Sequence, residues 1–325
     1  MKQTKGGQSP KVYFNYDQQI AKLRADGLTI ANERAAKARL KWEGYYNFAV
    51  GYNRLFKDER KRYFPGVTFE HIEALFDFDK HLRGLVYEYA GQVECNLKAL
   101  ISDEFSKRYG VDERSYLMEE NFTPVQQELK HVRWMIGTCK ATLKDCCREG
   151  TGNYREYIAY YAKTYGHVPL WALIRALSFG NTSKFLRLMK REDGKEVAAE
   201  YRVGFDELCN MTELLVCFRN IAAHGERVYC ARLPHVRLTR KLSILGRLQL
   251  PKKEDGTDLC GHSDFLACLV VFKYLLPPNE FLECFLRLKK EVEILEAALP
   301  AFAYKRAMRD LGLCGAWKVL DKMNV

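Results

Sequence analysis

The sequence predicts an all-α protein, and three observations support this fold class. Apolar residues recur at spacings of three and four through most of the 325-residue chain, which is the period of an amphipathic helix. Capping residues precede several of these segments, and glycines follow them. Only residues 228–258, rich in Pro, Gly, Arg and Lys, break the pattern, and they predict a long basic loop with at most a small hairpin.

The first part of the chain predicts two short helices and then a long one. The short helices span about residues 17–26 and 31–50, and a glycine follows each. The long helix begins after an N-cap at Thr68 and ends before Gly110. Its apolar residues recur without a break at helical spacing, so we expect one helix of about forty residues.

The middle of the chain predicts further helices separated by a polar connection. Thr123-Pro124 is typical of a helix start, and that helix is expected to run to about Cys147. The Tyr-rich stretch "TGNYREYIAYYAKTYGHVP" is expected to be partly helical. A short apolar helix ending at Gly180 follows, and the next helix is expected to be capped by one of residues 181–183.

The domain organisation follows from the absence of a clear linker between these segments. Residues 1–16 are expected to form a flexible basic tail, and residues 17–325 a single all-helical body. Strong helical periodicity returns after the basic loop, so further helices are expected over residues 262–325.

Composition narrows the class of protein and the class of partner. The formal net charge is +11, so a polyanion such as nucleic acid is the expected partner. No apolar run approaches the ~20 residues that span a bilayer, and no apolar stretch follows the basic start as in a secretory signal. Eleven scattered cysteines without a CxxC pair predict reduced thiols in a cytoplasmic protein that has neither a metal site nor a cofactor.

One predicted helix ends in residues suited to chemistry. The stretch "FDELCNMTELLVCFRNIAAH" is followed by Gly225, a residue typical of helix ends, and its last turns hold Arg219, Asn220 and His224. At 100° per residue, Asn220 and His224 share a face, and Arg219 lies about 140° from His224. The carboxyl end of a helix favours a charged imidazole, which suits proton exchange. A surface cation and a carbonyl-capping histidine are the alternative interpretations.

These residues also carry a family resemblance. "RNIAAHGER" resembles the R-N-x-x-A-H signature of HEPN domains, and three further stretches resemble the Abi-like (AbiD/AbiF, abortive infection) branch in the family's order. The resemblance covers about residues 17–235. Many relatives continue A-H-H-x-R-x-W, a pattern that this chain matches at Arg227 and departs from at Gly225 and Tyr229. The three stretches are "YYNFAVGYNRLF", "FDFDKHLRGLVYEYAGQVECNLKALISDEFSKRYG" and "VPLWALIRALSFGNTSKFLRLMK".

The resemblance implies a HEPN-type helical bundle with additional N- and C-terminal helices, acting as a metal-independent endoribonuclease. Such a protein would be a toxin in abortive-infection antiphage defence and a homodimer whose two motif faces form one cleft. His224 would transfer protons, Arg219 would bind the scissile phosphate, and Asn220 would orient His224 or a phosphate oxygen. The 2′-OH of RNA is its own nucleophile, so a proton-transfer group and a stabiliser of phosphorane charge suffice.

Other charged residues are expected to assist this site. Asp79 and Arg83 of the long helix are spaced i,i+4 and would support it, unless they belong to a solvated face or an ion-pair seam with Glu88 and Glu94. Basic residues after the motif would contact RNA phosphates, although such runs are usually solvated surface; they are Arg227, Arg232, Arg237, Arg240 and Lys241.

Two alternatives to the ribonuclease remain open at this point. One is a non-catalytic RNA-binding HEPN protein that is regulated by, or bound to, a structured small non-coding RNA. The other is a DNA-binding or structural helical protein, for which the sequence offers no helix-turn-helix signature. Cleavage of RNA in EDTA, and its loss in an Arg219/His224 double variant, would separate the first alternative from the ribonuclease.

Overall fold

A computed structural model describes residues 12–239 and 242–323, and the all-α prediction is confirmed. Within those ranges the β-structure is limited to isolated bridges. The α-helices of the described ranges are α1 (Tyr16–Ala25), α2 (Glu33–Glu43), α3 (Phe69–Tyr109), α4 (Glu113–Tyr116), α5 (Leu129–Cys147), α6 (Glu156–Tyr165), α7 (Leu170–Leu173), α8 (Phe179–Leu188), α9 (Arg191–Ala199), α10 (Phe205–Ala223), α11 (Ser243–Arg247), α12 (Phe265–Leu275), α13 (Pro278–Ala298) and α14 (Ala301–Leu311).

Shorter helical turns connect some of these elements. A π-helical turn spans Tyr46–Val50. The 3-10 turns of the described ranges span Asn53–Phe56, Glu119–Asn121, Gln126–Glu128, Ile174–Ala176 and Ala316–Lys322.

The chain divides into two compact units. The first contains the described residues up to Lys80 together with Glu291–Ala307, and the second contains His81–Lys290 and the described residues from Met308 onward. The helices α3, α13 and α14 contribute residues to both units. The prediction of a single interlocked body over residues 17–325 stays a prediction.

An aromatic core holds the first unit together. The Phe48 ring lies 5.2 Å from that of Phe69 and 5.3 Å from that of Phe76, and Tyr52 meets Phe76 edge-on at 5.0 Å. The Arg39 guanidinium lies over the Phe76 ring, 5.1 Å from its centroid, a distance at which a cation is attracted to the aromatic face. Phe48 and Tyr52 are therefore structural, because they are buried against the start of α3.

The second unit has a helical core in which α12 is enclosed. Nine of the eleven residues of α12 are buried, as expected of a helix that is apolar all round. Phe105, Phe122 and Phe185 form a second buried cluster with ring centroids 5.0–5.3 Å apart. α10 packs its buried side, including Phe218, into this unit, so the motif at the end of α10 is carried by a firmly anchored helix.

Several sequence predictions are confirmed at the level of single elements. The long helix is continuous from Phe69 to Tyr109, and α10 ends at the predicted glycine, since Gly225 has a φ of +69°. α12, α13 and α14 occupy the region where C-terminal helices were expected. The partly helical Tyr-rich connection forms α6.

The predicted helix over residues 31–50 is wrong in its extent. α2 ends at Glu43, and Gly44 follows with a φ of +80°, a conformation that terminates helices and that glycine adopts without steric cost. The chain then forms the π-helical turn rather than continuing the α-helix.

Two predicted helix starts are also wrong. The backbone N–H of Thr123 donates to the carbonyl of Leu188 at 2.8 Å, and this tertiary contact keeps the chain extended until the turns that precede α5. Gly180 lies inside α8 rather than at a helix end, because the Ser178 hydroxyl accepts from the backbone N–H of Asn181 and caps the helix there. This contact satisfies one of the free N–H groups of the first turn.

The region after the motif contains more structure than its composition predicts. α11 forms over Ser243–Arg247, and an antiparallel bridge joins Lys252 to Asp258, in keeping with the small hairpin. α9 was likewise not predicted. Arg240 and Lys241 lie outside the described residues, as do residues 1–11 of the predicted tail.

Two findings bear on the compositional predictions. Among the described residues, none of the helices is both long and apolar enough to cross a membrane. All eleven cysteines are free in the structure.

Candidate active site

The end of α10 is fixed by backbone hydrogen bonds around Gly225. The N–H of Glu226 donates to the carbonyl of Ile221 at 2.9 Å, and the N–H of Gly225 donates to that of Ala222 at 3.2 Å. This pair of bonds is the Schellman arrangement, which requires a left-handed residue directly after the helix. Gly225 therefore sets the position of His224 as the C-cap residue, directly after the last residue of α10.

Arg219 is held on the side of α10 by three neighbours. Its Nη2 donates to Glu94 Oε2 at 3.4 Å, and its Nη1 donates to Asn220 Oδ1 at 3.2 Å. The guanidinium carbon lies 6.0 Å from the centroid of the buried Phe179 ring. The side chain is 24% exposed, so it is oriented by protein contacts and still reaches solvent.

Glu94 connects Arg219 to a second cation on α3. The Nζ of Lys98 donates to Glu94 Oε1 at 2.7 Å and to the carbonyl of Leu177 at 2.7 Å. Because Leu177 lies just before α8, this network brings together the middle of α3, the approach to α8 and the end of α10. One carboxylate thus orients two cations at this junction.

His224 differs from Arg219 in being exposed. Among the described residues, no side chain or carbonyl lies within hydrogen-bond distance of its imidazole. The Asn220 amide oxygen instead accepts from Arg219. The imidazole is therefore accessible to a ligand.

The arrangement supplies complementary chemical groups at one helix end. The Arg219 guanidinium can donate to two oxygens of a phosphate, and the His224 imidazole can act as a proton acceptor or donor. Ala222 is half-buried and Ala223 is exposed, next to His224. Their small side chains leave room for a ligand to approach.

The basic residues after the motif occupy different environments. Arg227 and Arg237 are exposed. The guanidinium of Arg232 donates to the carbonyls of Asp310 at 2.6 Å and Arg309 at 3.3 Å, so its donors bind the carboxyl end of α14, where free carbonyls and the helix dipole favour a cation. Arg240 and Lys241 lie outside the described residues.

The candidate supporting residues of the long helix divide between the two units. Asp79 is fully buried in the first unit and accepts a hydrogen bond from the Tyr52 hydroxyl at 2.6 Å, so a solvated face is wrong for this residue. Arg83 is half-buried in the second unit. Glu88 forms an exposed ion pair with Arg287 at 2.9 Å, so the ion-pair interpretation is correct for Glu88.

Sequence reasoning missed Lys98 and Phe179 as neighbours of the motif. The i,i+4 spacing of Glu94 and Lys98 is a recognisable signal for a pair on one helix face. Nothing in the sequence connects that pair to Arg219, which lies 125 residues after Glu94. In residues 12–239 and 242–323, no three His, Cys, Asp or Glu side chains are grouped as metal ligands would be.

A family model described as "Abi-like protein" matches residues 38–230, which is more than half of the 325 residues and includes α3, α8 and α10 with the Arg219–His224 motif. No curated protein and no solved structure matches the chain.

Proposed function

Because the chain belongs to the Abi-like protein family, we propose that it is a metal-independent endoribonuclease of the HEPN type, acting as a toxin in abortive-infection defence. One observation carries this proposal. At the end of α10, a guanidinium oriented by Glu94 and Asn220 accompanies an exposed imidazole that has no hydrogen-bond partner among the described residues. These are the phosphate-binding and proton-transfer groups that RNA cleavage needs.

The proposed reaction uses the 2′-OH of the substrate as nucleophile. Neutral His224 accepts the 2′-OH proton while the 2′ oxygen attacks phosphorus, and Arg219 binds the non-bridging oxygens as charge accumulates on them. The P–O bond to the 5′ oxygen then breaks, and that oxygen takes a proton from an acid. The products are a 2′,3′-cyclic phosphate and a 5′-hydroxyl.

A second copy of the chain would complete the site. One α10 end offers one Arg219/His224 pair, whereas the reaction needs a base on the nucleophile and an acid on the leaving group. Two copies related by a two-fold axis would supply two histidines to one phosphate, since a two-fold interface presents the same patch twice. We therefore propose a homodimer through the motif face.

The test is cleavage of total RNA in EDTA by the wild type and by the Arg219→Ala/His224→Ala variant. We expect fragments with cyclic phosphate ends from the wild type and none from the variant. His131→Ala/Arg133→Ala is a matched control, because it removes another exposed histidine and arginine, on α5. Fragments of the same kind from the Arg219/His224 variant would refute the assignment of the site.

The non-catalytic alternative predicts a different result in the same experiment. A wild type that binds RNA tightly and leaves it intact would establish RNA binding without cleavage. Extraction of the purified protein would then be expected to yield one discrete, structured RNA rather than a mixture. The formal charge of +11 is compatible with both functions, since each needs an attractive field for phosphate.

A further inference from the structure

An unusual set of exposed aromatic rings lies in the second unit. We define the aromatic strip as Tyr160, Tyr161 and Tyr165 of α6 with Trp171 of α7. The centroids of the three tyrosine rings lie 5.8–6.0 Å apart, and the Trp171 Nε1 donates to the Tyr161 hydroxyl at 3.4 Å. Tyr160 and Tyr165 are each 55% exposed and Trp171 is 42% exposed. The rings are ordered by contact with one another, and their free surfaces face solvent.

Trp171 also forms one wall of a groove of about 620 Å³. Arg175, one helical turn after Trp171, lines the same wall, and Lys98 and Ser102 of α3 line the opposite one. Arg175 is exposed and makes no ion pair with any described residue. Asp103 lines the groove as well, so a phosphate is expected on the Arg175 side.

Lys98 joins this groove to the candidate active site. Its ammonium lies 2.7 Å from Glu94 Oε1, and the other oxygen of the same carboxylate lies 3.4 Å from Arg219. The groove wall and the phosphate-binding arginine are therefore separated by a single carboxylate.

We propose that the groove and the aromatic strip bind the unpaired nucleotides next to the scissile phosphate, and that the substrate is therefore single-stranded RNA. This inference rests on the proposed ribonuclease function. Exposed aromatic faces stack on bases of any sequence, and cationic side chains follow the backbone. The bases of an RNA duplex are stacked on one another, so their faces cannot reach Trp171 or Tyr160.

The experiment measures binding of a fluorescent single-stranded RNA and of the same sequence as a duplex at fixed salt concentration. All proteins carry Arg219→Ala/His224→Ala, so that the RNA stays intact. Trp171→Ala and Tyr160→Ala are each expected to weaken single-strand binding about tenfold, the effect of losing one stacked base. Trp171→Phe keeps an aromatic face and should recover most of the loss.

A matched control separates stacking from a general loss of structure. Trp134→Ala removes a tryptophan of similar exposure, 46%, from α5, outside the strip and the groove, and should leave single-strand binding unchanged. Thermal unfolding of each variant checks that the fold is retained, and Tyr160→Ala serves as the second variant should Trp171→Ala unfold.

The outcomes distinguish this inference from the proposed function. Equal affinity of the Trp171 and Tyr160 variants and the parent protein for single-stranded RNA would overturn the inference, even if the wild type cleaves RNA. Preference for the duplex would overturn it as well. Loss of single-strand binding in these variants, with no cleavage by the wild type, would support RNA binding by the groove and the aromatic strip and would refute the proposed ribonuclease activity.

Discussion

Glu94→Gln is the most direct perturbation of the candidate site, because it keeps the side-chain shape and removes the charge that Arg219 and Lys98 share. Hydrogen bonds to charged groups contribute about 1.5–3 kcal/mol each. The Lys98 contact, at 2.7 Å, has the usual length of a charge-assisted bond, whereas the Arg219 contact, at 3.4 Å, is longer and weaker. The glutamine amide keeps one acceptor oxygen, which can serve one of the two cations, and its NH2 group then faces the other, so we expect a loss of about 2 kcal/mol in the free energy of unfolding.

The same substitution is expected to slow RNA cleavage about tenfold, because small misplacements of a positioned group reduce catalysis strongly. Two effects compete here. Removing the carboxylate also frees the positive charge of Arg219 for phosphate, which would tighten RNA binding. Orientation should dominate the rate, so we expect kcat to fall while KM stays constant or decreases.

The assay is single-turnover and steady-state cleavage of a defined RNA, together with urea unfolding of the same samples. Glu88→Gln is the matched control, since Glu88 lies on the same helix and its ion pair with Arg287 is exposed, with side chains 46% and 43% accessible. Such a surface pair contributes about 0–1 kcal/mol. A Glu94→Gln protein that cleaves as fast as the wild type would refute the positioning role of Glu94.

Three further substitutions test other parts of the structure. Gly225→Ala places a side chain at a φ of +69° and should lower the free energy of unfolding by about 1–2 kcal/mol, measured in urea. Tyr52→Phe removes a buried donor to Asp79 and should cost about 1–3 kcal/mol in the same assay. A hydrogen bond with Cys260 lowers the pKa of Cys314 to about 7, so alkylation of Cys314 by iodoacetamide should be half-maximal near that pH, and Cys260→Ala should raise the midpoint. Because the folded pKa lies below the ordinary value of 9.0, this thiolate's contribution to stability is complete above about pH 9 and is lost as the pH falls through 7.

Each of these predictions has its own control. Gly137→Ala, within α5 and with no atom within 4 Å of the added Cβ, should stabilise the protein by about 0.5–1 kcal/mol, and the same sign for both glycines would contradict the role of φ. Ser106→Ala removes a buried hydroxyl without a hydrogen-bond partner in the described structure and should cost less than Tyr52→Phe. Cys260→Ser retains a hydrogen-bond donor and is the control for Cys260→Ala. An unchanged midpoint of Cys314 alkylation in Cys260→Ala would exclude the hydrogen bond as the cause of the lowered pKa.

The motif end of α10 was predictable because its determinants are local. The apolar spacing of the segment sets which side is buried, and Gly225 supplies the left-handed residue that ends the helix. Both properties depend on residues within a few positions of one another. The same holds for α3, in which apolar residues recur at helical spacing from Phe69 to Tyr109.

The starts of α5 and α8 were not predictable in the same way. Thr123 precedes a proline and resembles a helix cap, but its N–H is bonded to Leu188, which is distant in sequence. Gly180 resembles a helix end, but the Ser178 cap and packing of α8 on its neighbours place it within the helix. At Thr123 a tertiary contact outweighed the local signal, whereas at Gly180 the hydroxyl of a nearby residue, Ser178, set the start of the helix.

The sequence by itself determined the all-helical class, the long α3 and the end of α10, where an arginine and a histidine both lie. These features were predictable because helical periodicity and capping act over one or two turns. Only the tertiary structure decided which carboxylate orients Arg219, that Arg232 binds the end of α14, and that Asp79 is buried against Tyr52. These contacts join residues far apart in the chain, and their partners are fixed by how the helices pack, which no local spacing encodes.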